Sequence, residues 1–367
     1  MLHYLAQRYP LDAILFRERG SPDPRAALPP GLIQENLLID LPYHRRGGLA
    51  RVWRNLKRLR RDVPPLVDRF AGYEAAIERF CKGHRWNVVV LEHFWTAPYR
   101  TLLGEFSDST VLNLHNVESR LHELSAQVEP GPVGAGHRRF AAACRRLEAE
   151  FLPQFDIVLT ASDEDRELAR RISSQAIAHV YPNAIPEREA PCVTVKNQIV
   201  FTGNLAYHPN QAAVGWFASS IWPLLCERYP GLEWVLAGKN PEAVRKYVRS
   251  SPGVRLTGEI PDTWTELAGS SAAIVPLRSG SGTRIKILEA WGAGAPVVST
   301  AIGAQGLAAE HGKHLLLADN VQDFADAVGS LLDSPKLRGS LIEQGRSLLA
   351  EKFTWAAGWK ALDRLGI

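Results

Sequence analysis

Short apolar runs alternate with amphipathic, helix-period stretches along almost the whole chain, and this alternation limits the fold more than any other feature. In the first half the runs fall at residues 12–16, 36–39, 87–91, 110–114 and 156–160, separated by stretches such as 67–81 and 137–152. In the second half they fall at 198–203, 233–238, 253–257, 272–276, 295–299 and 314–317. Strands that alternate with helices belong to a parallel sheet covered on both faces. At residues 180–186, Val-Tyr-Pro-Asn-Ala-Ile-Pro, two prolines break the rhythm, and 187–196 is polar and weakly patterned. That is the natural linker. The chain has 367 residues, enough for two domains that each bury a core. The expected architecture is α/β, two doubly wound domains facing a cleft, with ligands at the carboxyl ends of the strands.

The opening departs from this scheme. Leu2, Leu5, Ala6 and Tyr9 form a helical pattern before any strand, whereas a doubly wound domain begins with a central strand and a glycine-rich turn. The first strand is then missing, and a true start upstream of Met1 is favoured over an irregular first sheet.

Composition excludes several classes. No segment reaches the ~18 uninterrupted apolar residues of a membrane span, and residues 1–10 lack a basic start followed by an apolar run. Cys81, Cys144, Cys192 and Cys226 are scattered without a C-x-x-C pair, and read as buried thiols of a reducing cytoplasm. A net charge of +4 is too modest to argue for nucleic acid, and no broad basic face with aromatic stacking positions accompanies it. No nucleic-acid partner is expected. Ten tryptophans are dispersed, mostly at helical apolar positions, which core packing explains.

Residues 275–300 carry the chemistry. They read as a strand end, a small-residue loop at 279–282, a helix at 283–291 and a further strand. Gly280 and Gly282 let the backbone approach a ligand, and free N–H groups at a helix start attract anions. Arg284 and Lys286 place two cations at that same end, against the helix dipole, so the placement suggests a bound anion. Glu289, one turn on, is suited to accept hydrogen bonds from ribose hydroxyls. Ser279, Gly280, Ser281, Gly282, Thr283 and Glu289 with these cations describe a site for a nucleoside diphosphate; the plain alternative is a strand–turn–helix with an exposed basic first turn.

Other signals are discounted. Asp163-Glu-Asp165 matches a metal-binding D-x-D string, but Ser162 reads as an N-cap with the acids in the first helical turn. Gly280-x-Gly282 lacks the third glycine of a dinucleotide fingerprint because Ile285 stands there, and no G-x-x-x-x-G-K-[ST] string occurs.

Residues 45–61 hold Arg45, Arg46, Arg51, Arg54, Lys57, Arg58, Arg60 and Arg61 and no acid, with Leu49, Val52, Trp53, Leu56 and Leu59 at helical spacing. This pattern suits a helix lying on an anionic membrane surface. A core-facing helix with a cationic solvated side has the same pattern.

The string Phe201-Thr-Gly-Asn-Leu-Ala-Tyr-His-Pro-Asn210 with Trp216-Phe217, the stretch Pro276 to Gly306, Leu114-His-Asn-Val-Glu-Ser119 and Phe353-Thr-Trp355 together resemble family 4 glycosyltransferases, in particular the exopolysaccharide-associated sugar transferases. The resemblance runs from about residue 87 to the end. It implies a GT-B fold: residues 1–183 as an acceptor-binding domain, 184–352 as a nucleotide-sugar-binding domain, and 353–367 as a helix crossing back. Position by position, Glu289 matches the second glutamate of the family's E-x7-E signature, which binds the ribose. Ser281 stands where the first glutamate normally contacts the sugar, which leaves that contact unassigned. The family also places an Arg and a Lys after a turn like that at Gly203 and Asn204. Here only His208 is found, so Arg284 and Lys286 are the cations left for the departing diphosphate.

In the family a histidine at a strand end touches the transferred sugar or the acceptor, which places His115 in the site. In the alternative, Asn116 caps a helix from residue 117 and the histidine is merely nearby. Glu118 is either a general base or a first-turn acid. Glu92 and His93 end another strand and are weaker candidates for the same cleft.

The expectation is a metal-independent glycosyltransferase needing no cofactor beyond its nucleotide-sugar co-substrate. It moves a hexose-type sugar to a polysaccharide or lipid-linked acceptor, with retention implied by the family alone. It is expected in the cytoplasm, on the inner face of the membrane through residues 45–61. The alternatives are a GT-B-type nucleotide-sugar 2-epimerase and a non-catalytic nucleotide-sugar-binding subunit.

Overall fold

The computed structural model describes residues 1–42, 48–129, 131–279 and 284–367. The chain divides into two compact units, Met1–Tyr181 with Trp359–Ile367, and Pro182–Gly358. Every strand pairing is parallel.

In the first unit β1 (Ala13–Glu18) pairs with β2 (Asn36–Leu41) as a separate ribbon. The strands β3 (Trp86–Glu92), β4 (Ser107–Asn113), β5 (Ile157–Thr160) and β6 (Ala178–Val180) lie side by side in chain order. The strands of this unit therefore fall into two hydrogen-bonded groups. One face packs Leu91, Leu112 and Val158 against Ile77, Phe94 and Leu152. The other packs Val111 and Leu159 against Tyr4, Leu5, Leu362 and Ile367, so the two ends of the chain share one small core. Tyr4 Oη lies 2.9 Å from Asp363 Oδ1 and 2.8 Å from the Ile367 carbonyl.

Two local expectations are corrected here. The stretch 67–81 is two helices, Pro65–Phe70 and Glu74–Cys81, because Gly72 at φ +93° breaks the path between them. The strand β6 (Ala178–Val180) ends on the first residue of the stretch read as linker, its apolar run being too brief to stand out beside two prolines. Ser162 does cap the helix Asp163–Ile172: its Oγ accepts from Asp165 N–H at 3.1 Å.

The second unit is built on β7 (Lys196–Thr202), β8 (Glu233–Ala237), β9 (Val254–Gly258), β10 (Ser270–Val275), β11 (Val297–Ser299) and β12 (Leu316–Leu317), in the spatial order β12-β11-β10-β7-β8-β9. Winding runs outward from β7 in one direction and then returns to β10 and continues in the other. The crevice between β7 and β10 is the switch point at which sheets of this kind bind ligands. Phe201, Phe217, Trp222, Trp234, Trp291 and Phe324 are almost fully buried and form its centre. Cys192 is exposed, contrary to the reading of all four thiols as buried.

Candidate functional site

The site begins at the carboxyl end of β7. Gly203 has φ +138° and Gly238, at the end of β8, has φ +145°, conformations that side-chain-bearing residues avoid. A Cβ on Gly238 would lie 1.9 Å from the Gly203 carbonyl oxygen, so the two strand ends touch backbone to backbone. Asn204 is exposed, and its Oδ1 accepts from Ala206 N–H at 3.0 Å and from Asn240 Nδ2 at 2.8 Å.

The exit of β10 is held by residues that the sequence motif contains but to which no role was given. Ser299 Oγ donates to the Val275 carbonyl or the Thr300 carbonyl, at 3.3 and 2.9 Å. Thr300 Oγ1 donates to the Leu277 carbonyl and accepts from Gly303 N–H. Gly303 is packed too tightly for a Cβ, which would meet Ser299 Oγ at 2.4 Å. Ser279 is buried at this exit; Gly280, Ser281, Gly282 and Thr283 lie outside the described residues.

The following helix spans Ile285–Ala293, two residues later than the periodicity suggests. Arg284 is its N-cap, with non-helical φ −86° and ψ 80°, and its buried guanidinium reaches toward the Ile302 carbonyl at 3.3–3.4 Å. Both cations thus stand at the amino-terminal end of this helix, Arg284 as its cap and Lys286 in its first turn. The helix ends at Gly294, whose φ of +83° provides a left-handed cap. It is seated by small residues, because a Cβ on Gly292 would meet Trp264 at 2.5 Å.

Lys286 Nζ donates to Asn210 Oδ1 at 2.9 Å and lies 4.1 Å from the Phe201 ring centroid. Burial, together with the charge of Arg284, pushes the amine down to about 7, while Glu289 opposes the shift. Glu289 is half-buried and makes no hydrogen bond among the described residues. Burial raises its carboxyl, with the charges of Lys286 and Arg188 pulling the other way. The structure thus brings Gly203, Lys286 and Glu289 into one electrostatic neighbourhood and adds Asn210, Phe201 and Arg188 to it. Arg188 sits in the polar stretch read as linker, paired with Asp262 at 3.3 Å and lying over Trp264. Only spatial proximity could have found it.

In the first unit, Glu92 and Asn113 end β3 and β4 as register partners. His93, directly after Glu92, at φ +67° and His115, two residues after Asn113, at φ +56° both adopt the left-handed conformation. Such strain in two non-glycine residues points to function. His115 Nε2 lies 2.6 Å from Glu92 Oε2, which also accepts from Asn113 Nδ2 at 2.9 Å. Burial would raise the Glu92 carboxyl, but the His115 contact and the neighbouring imidazoles hold it below its ordinary value. The His93 ring stacks on Trp95 at 4.1 Å and lies 4.3 Å from the His115 ring; burial, then the His115 charge, pushes it down to about 4.

Asn116 and Glu118 are hydrogen-bonded to each other, while His115 is bonded to Glu92. The helix spans Glu118–Val128 with Val117 as its N-cap, so Asn116 is not a cap; its Nδ2 donates to Glu118 Oε1 at 2.9 Å. Glu118 is buried, and desolvation pushes its carboxyl up to about 7, with Glu148 adding to the shift. It borders a largely apolar cavity of about 110 Å³ together with Phe94, Trp95, Leu121 and Cys144.

The basic helix spans Gly48–Arg61; Arg45 and Arg46 lie outside the described residues. Most of its apolar residues face outward: Leu49 is 81% exposed and Trp53 69%, with Val52 and Leu56 also exposed and Leu59 half-buried. Arg58 instead turns inward, its Nε 2.8 Å from Asp68 Oδ2, with Arg61 on the other carboxylate oxygen. The core-facing alternative and the core explanation for Trp53 are both set aside by this inversion. Among the described residues no helix is long and apolar enough to cross a membrane.

Residues 196–334, nearly the whole β7–β12 sheet with its helices, match the family described as Glycosyl transferases group 1. Sucrose-phosphate synthase from Thermosynechococcus elongatus superimposes with a TM-score of 0.74 at 15% identity, covering 99% of this chain and 89% of that one. The fold is GT-B. The Anabaena protein HepE, solved in complex with UDP and glucose, superimposes on this GT-B chain with a TM-score of 0.65 at 13% identity, covering 97% and 99% of the two chains. An uncharacterized 44.6 kDa protein in the cps region of Klebsiella pneumoniae is 28% identical over 135 residues, 35% of each chain. The alignment thus spans about a third of that relative's length.

Proposed function

We propose that the protein is a family 4 glycosyltransferase that moves a sugar from a UDP-sugar to a saccharide or lipid-linked acceptor, with retention and without a metal. The observation that carries the reading is the convergence of Gly203, Lys286 and Glu289 at the β7–β10 switch point, within the segment that matches group 1 glycosyl transferases. A close-approaching backbone and a cation suit a diphosphate, and a carboxylate one helical turn away suits a ribose. As the glycosidic bond breaks, negative charge grows on the departing phosphate. A cation held at that point stabilises the transition state more than the ground state. His115, tied to Glu92, is assigned to the transferred sugar or the acceptor.

The HepE complexes with UDP and glucose support the choice of uridine. The relative in a cps region supports a polysaccharide or its lipid-linked precursor as acceptor. The group 1 match favours transfer over a 2-epimerase or a binding-only subunit. An outward apolar face flanked by Arg54, Lys57 and Arg60 suits docking of Gly48–Arg61 on an anionic membrane, where a lipid-linked acceptor would be met.

The test is a thermal-shift panel of UDP, GDP, TDP and ADP sugars with and without EDTA. UDP-sugar at about 100 times its dissociation constant is expected to stabilise by ~2.7 kcal/mol, indifferent to EDTA. Stabilisation by another base alone would overturn the uridine assignment, and loss with EDTA the metal-free one.

A further inference from the structure

Asn210 closes the Phe201-to-Asn210 motif, and its side chain is 5% exposed. Its amide is divided between the two sides of the switch point. Nδ2 donates to the Asn204 carbonyl at 2.8 Å, fixing the turn that leaves β7. Oδ1 accepts from Lys286 Nζ at 2.9 Å, fixing the cation on the helix that follows β10. The three groups leave no slack: a Cβ on Gly203 would meet Asn210 Nδ2 at 3.2 Å and Lys286 Nζ at 3.5 Å. A lysine side chain with four rotatable bonds samples many positions unless it is tied, and holding it before the ligand arrives spares that ordering cost on binding. A neutral amide serves this purpose better than a carboxylate, which would neutralise the cation and repel a phosphate.

We propose that Asn210 is a positioning residue: it aims Lys286 at the diphosphate of a bound nucleotide and locks the Gly203–Asn204 turn to it. The inference rests on the nucleotide-diphosphate reading of the site. Charged groups acting on Lys286 are Arg284, which opposes its protonation, and Glu289, which favours it. From the neighbouring elements, β7 presents the Phe201 ring and the helix His208–Trp216 presents the Asn210 amide, with His208 at that helix's start.

The experiment is a double-mutant cycle read by calorimetric UDP binding. Asn210→Ala is expected to raise the UDP dissociation constant about tenfold in the native background. In a Lys286→Met background it should change it less than twofold, because residues acting as one unit are not additive. A merely structural asparagine would cost the same in both. Asn210→Asp, close in shape, guards against a folding failure. It is expected to move the pH midpoint of UDP binding upward by about one unit through the new carboxylate beside the amine, an effect absent with Met at 286. Equal losses in the two backgrounds, or an unmoved midpoint in Asn210→Asp, overturn the inference. A native protein that binds no UDP overturns the uridine reading instead, and with it the ground on which this inference stands.

Discussion

His115 Nε2 and Glu92 Oε2 meet at 2.6 Å across the carboxyl ends of β4 and β3. The carboxylate is held below its ordinary value, so it is the acceptor and Nε2 carries the proton, which leaves Nδ1 to serve a ligand. Replacing His115 by Ala is expected to lower turnover by ~10²-fold or more while leaving UDP affinity nearly unchanged. Glu92→Gln should cost at least ~10-fold through the same histidine. Single-turnover transfer of labelled sugar, set beside equilibrium UDP binding, separates the two; a matching loss of UDP affinity would contradict the assignment to sugar or acceptor.

Lys286 is expected to make UDP binding depend on pH. An amine held at about 7 is protonated below that pH and neutral above it, and only the protonated form attracts a diphosphate. UDP affinity is expected to fall by at least about tenfold between pH ~6.5 and ~8.5, with proton uptake on binding at the upper end. Calorimetry in buffers of different ionisation enthalpy measures both, and Lys286→Met should remove the uptake. In the ligand-free protein the same shift acts oppositely. Between about 7 and the ordinary 10.5 the unfolded chain binds more protons, so this group's contribution to stability rises with pH.

Glu289→Ala tests the ribose. Two hydrogen bonds from sugar hydroxyls to a carboxylate are worth ~1.5–3 kcal/mol each, so UDP should bind at least ~10-fold more weakly. Inorganic pyrophosphate, which has no ribose, should bind as before. A parallel loss for pyrophosphate would show that Glu289 acts by holding Lys286.

Gly238→Ala tests the close approach that shapes the loop after β7. A methyl group placed 1.9 Å from the Gly203 carbonyl, at φ +145°, should destabilise the second unit by at least ~2 kcal/mol. Chemical denaturation followed by tryptophan fluorescence reads this directly. An unchanged midpoint would mean that the two strand ends can separate.

The outward face of Gly48–Arg61 predicts vesicle binding that needs both its charge and its apolar residues. Arg54, Lys57 and Arg60 are the substitutions to make, since Arg58 and Arg61 hold Asp68 and their loss would disturb the fold. The triple Gln variant, or Trp53→Ser with Leu49→Ser, is expected to release the protein from vesicles rich in anionic lipid in a sedimentation assay. Unchanged sedimentation of both variants would leave this face without a membrane role.

Most of the strands were legible because a strand buried on both faces must be apolar throughout, and eleven of the twelve strands among the described residues lie within a few residues of an apolar run. The short β6 marks the limit, since a run of three residues carries little periodic signal. The glycines that needed positive φ were visible as glycines, but the Gly203–Gly238 contact joins residues on different strands and has no trace in spacing. The start of the helix after β10 was placed two residues early for a related reason: helical periodicity cannot tell an N-cap such as Arg284 from a first-turn residue.

By itself the sequence determined the alternation that makes parallel sheets, the placement of Gly203, Lys286 and Glu289 beside strand ends, and the cationic, acid-free character of the helix at 48–61. These are properties of period and composition, which need only local order along the chain. Tertiary structure alone decided which side chains meet: Lys286 with Asn210 rather than with Glu289, His115 with Glu92 rather than with Glu118, and Arg58 inward while Trp53 faces out. Each of these pairings depends on how two separate elements pack, and packing is settled by the free energy of the whole core, which no local pattern encodes.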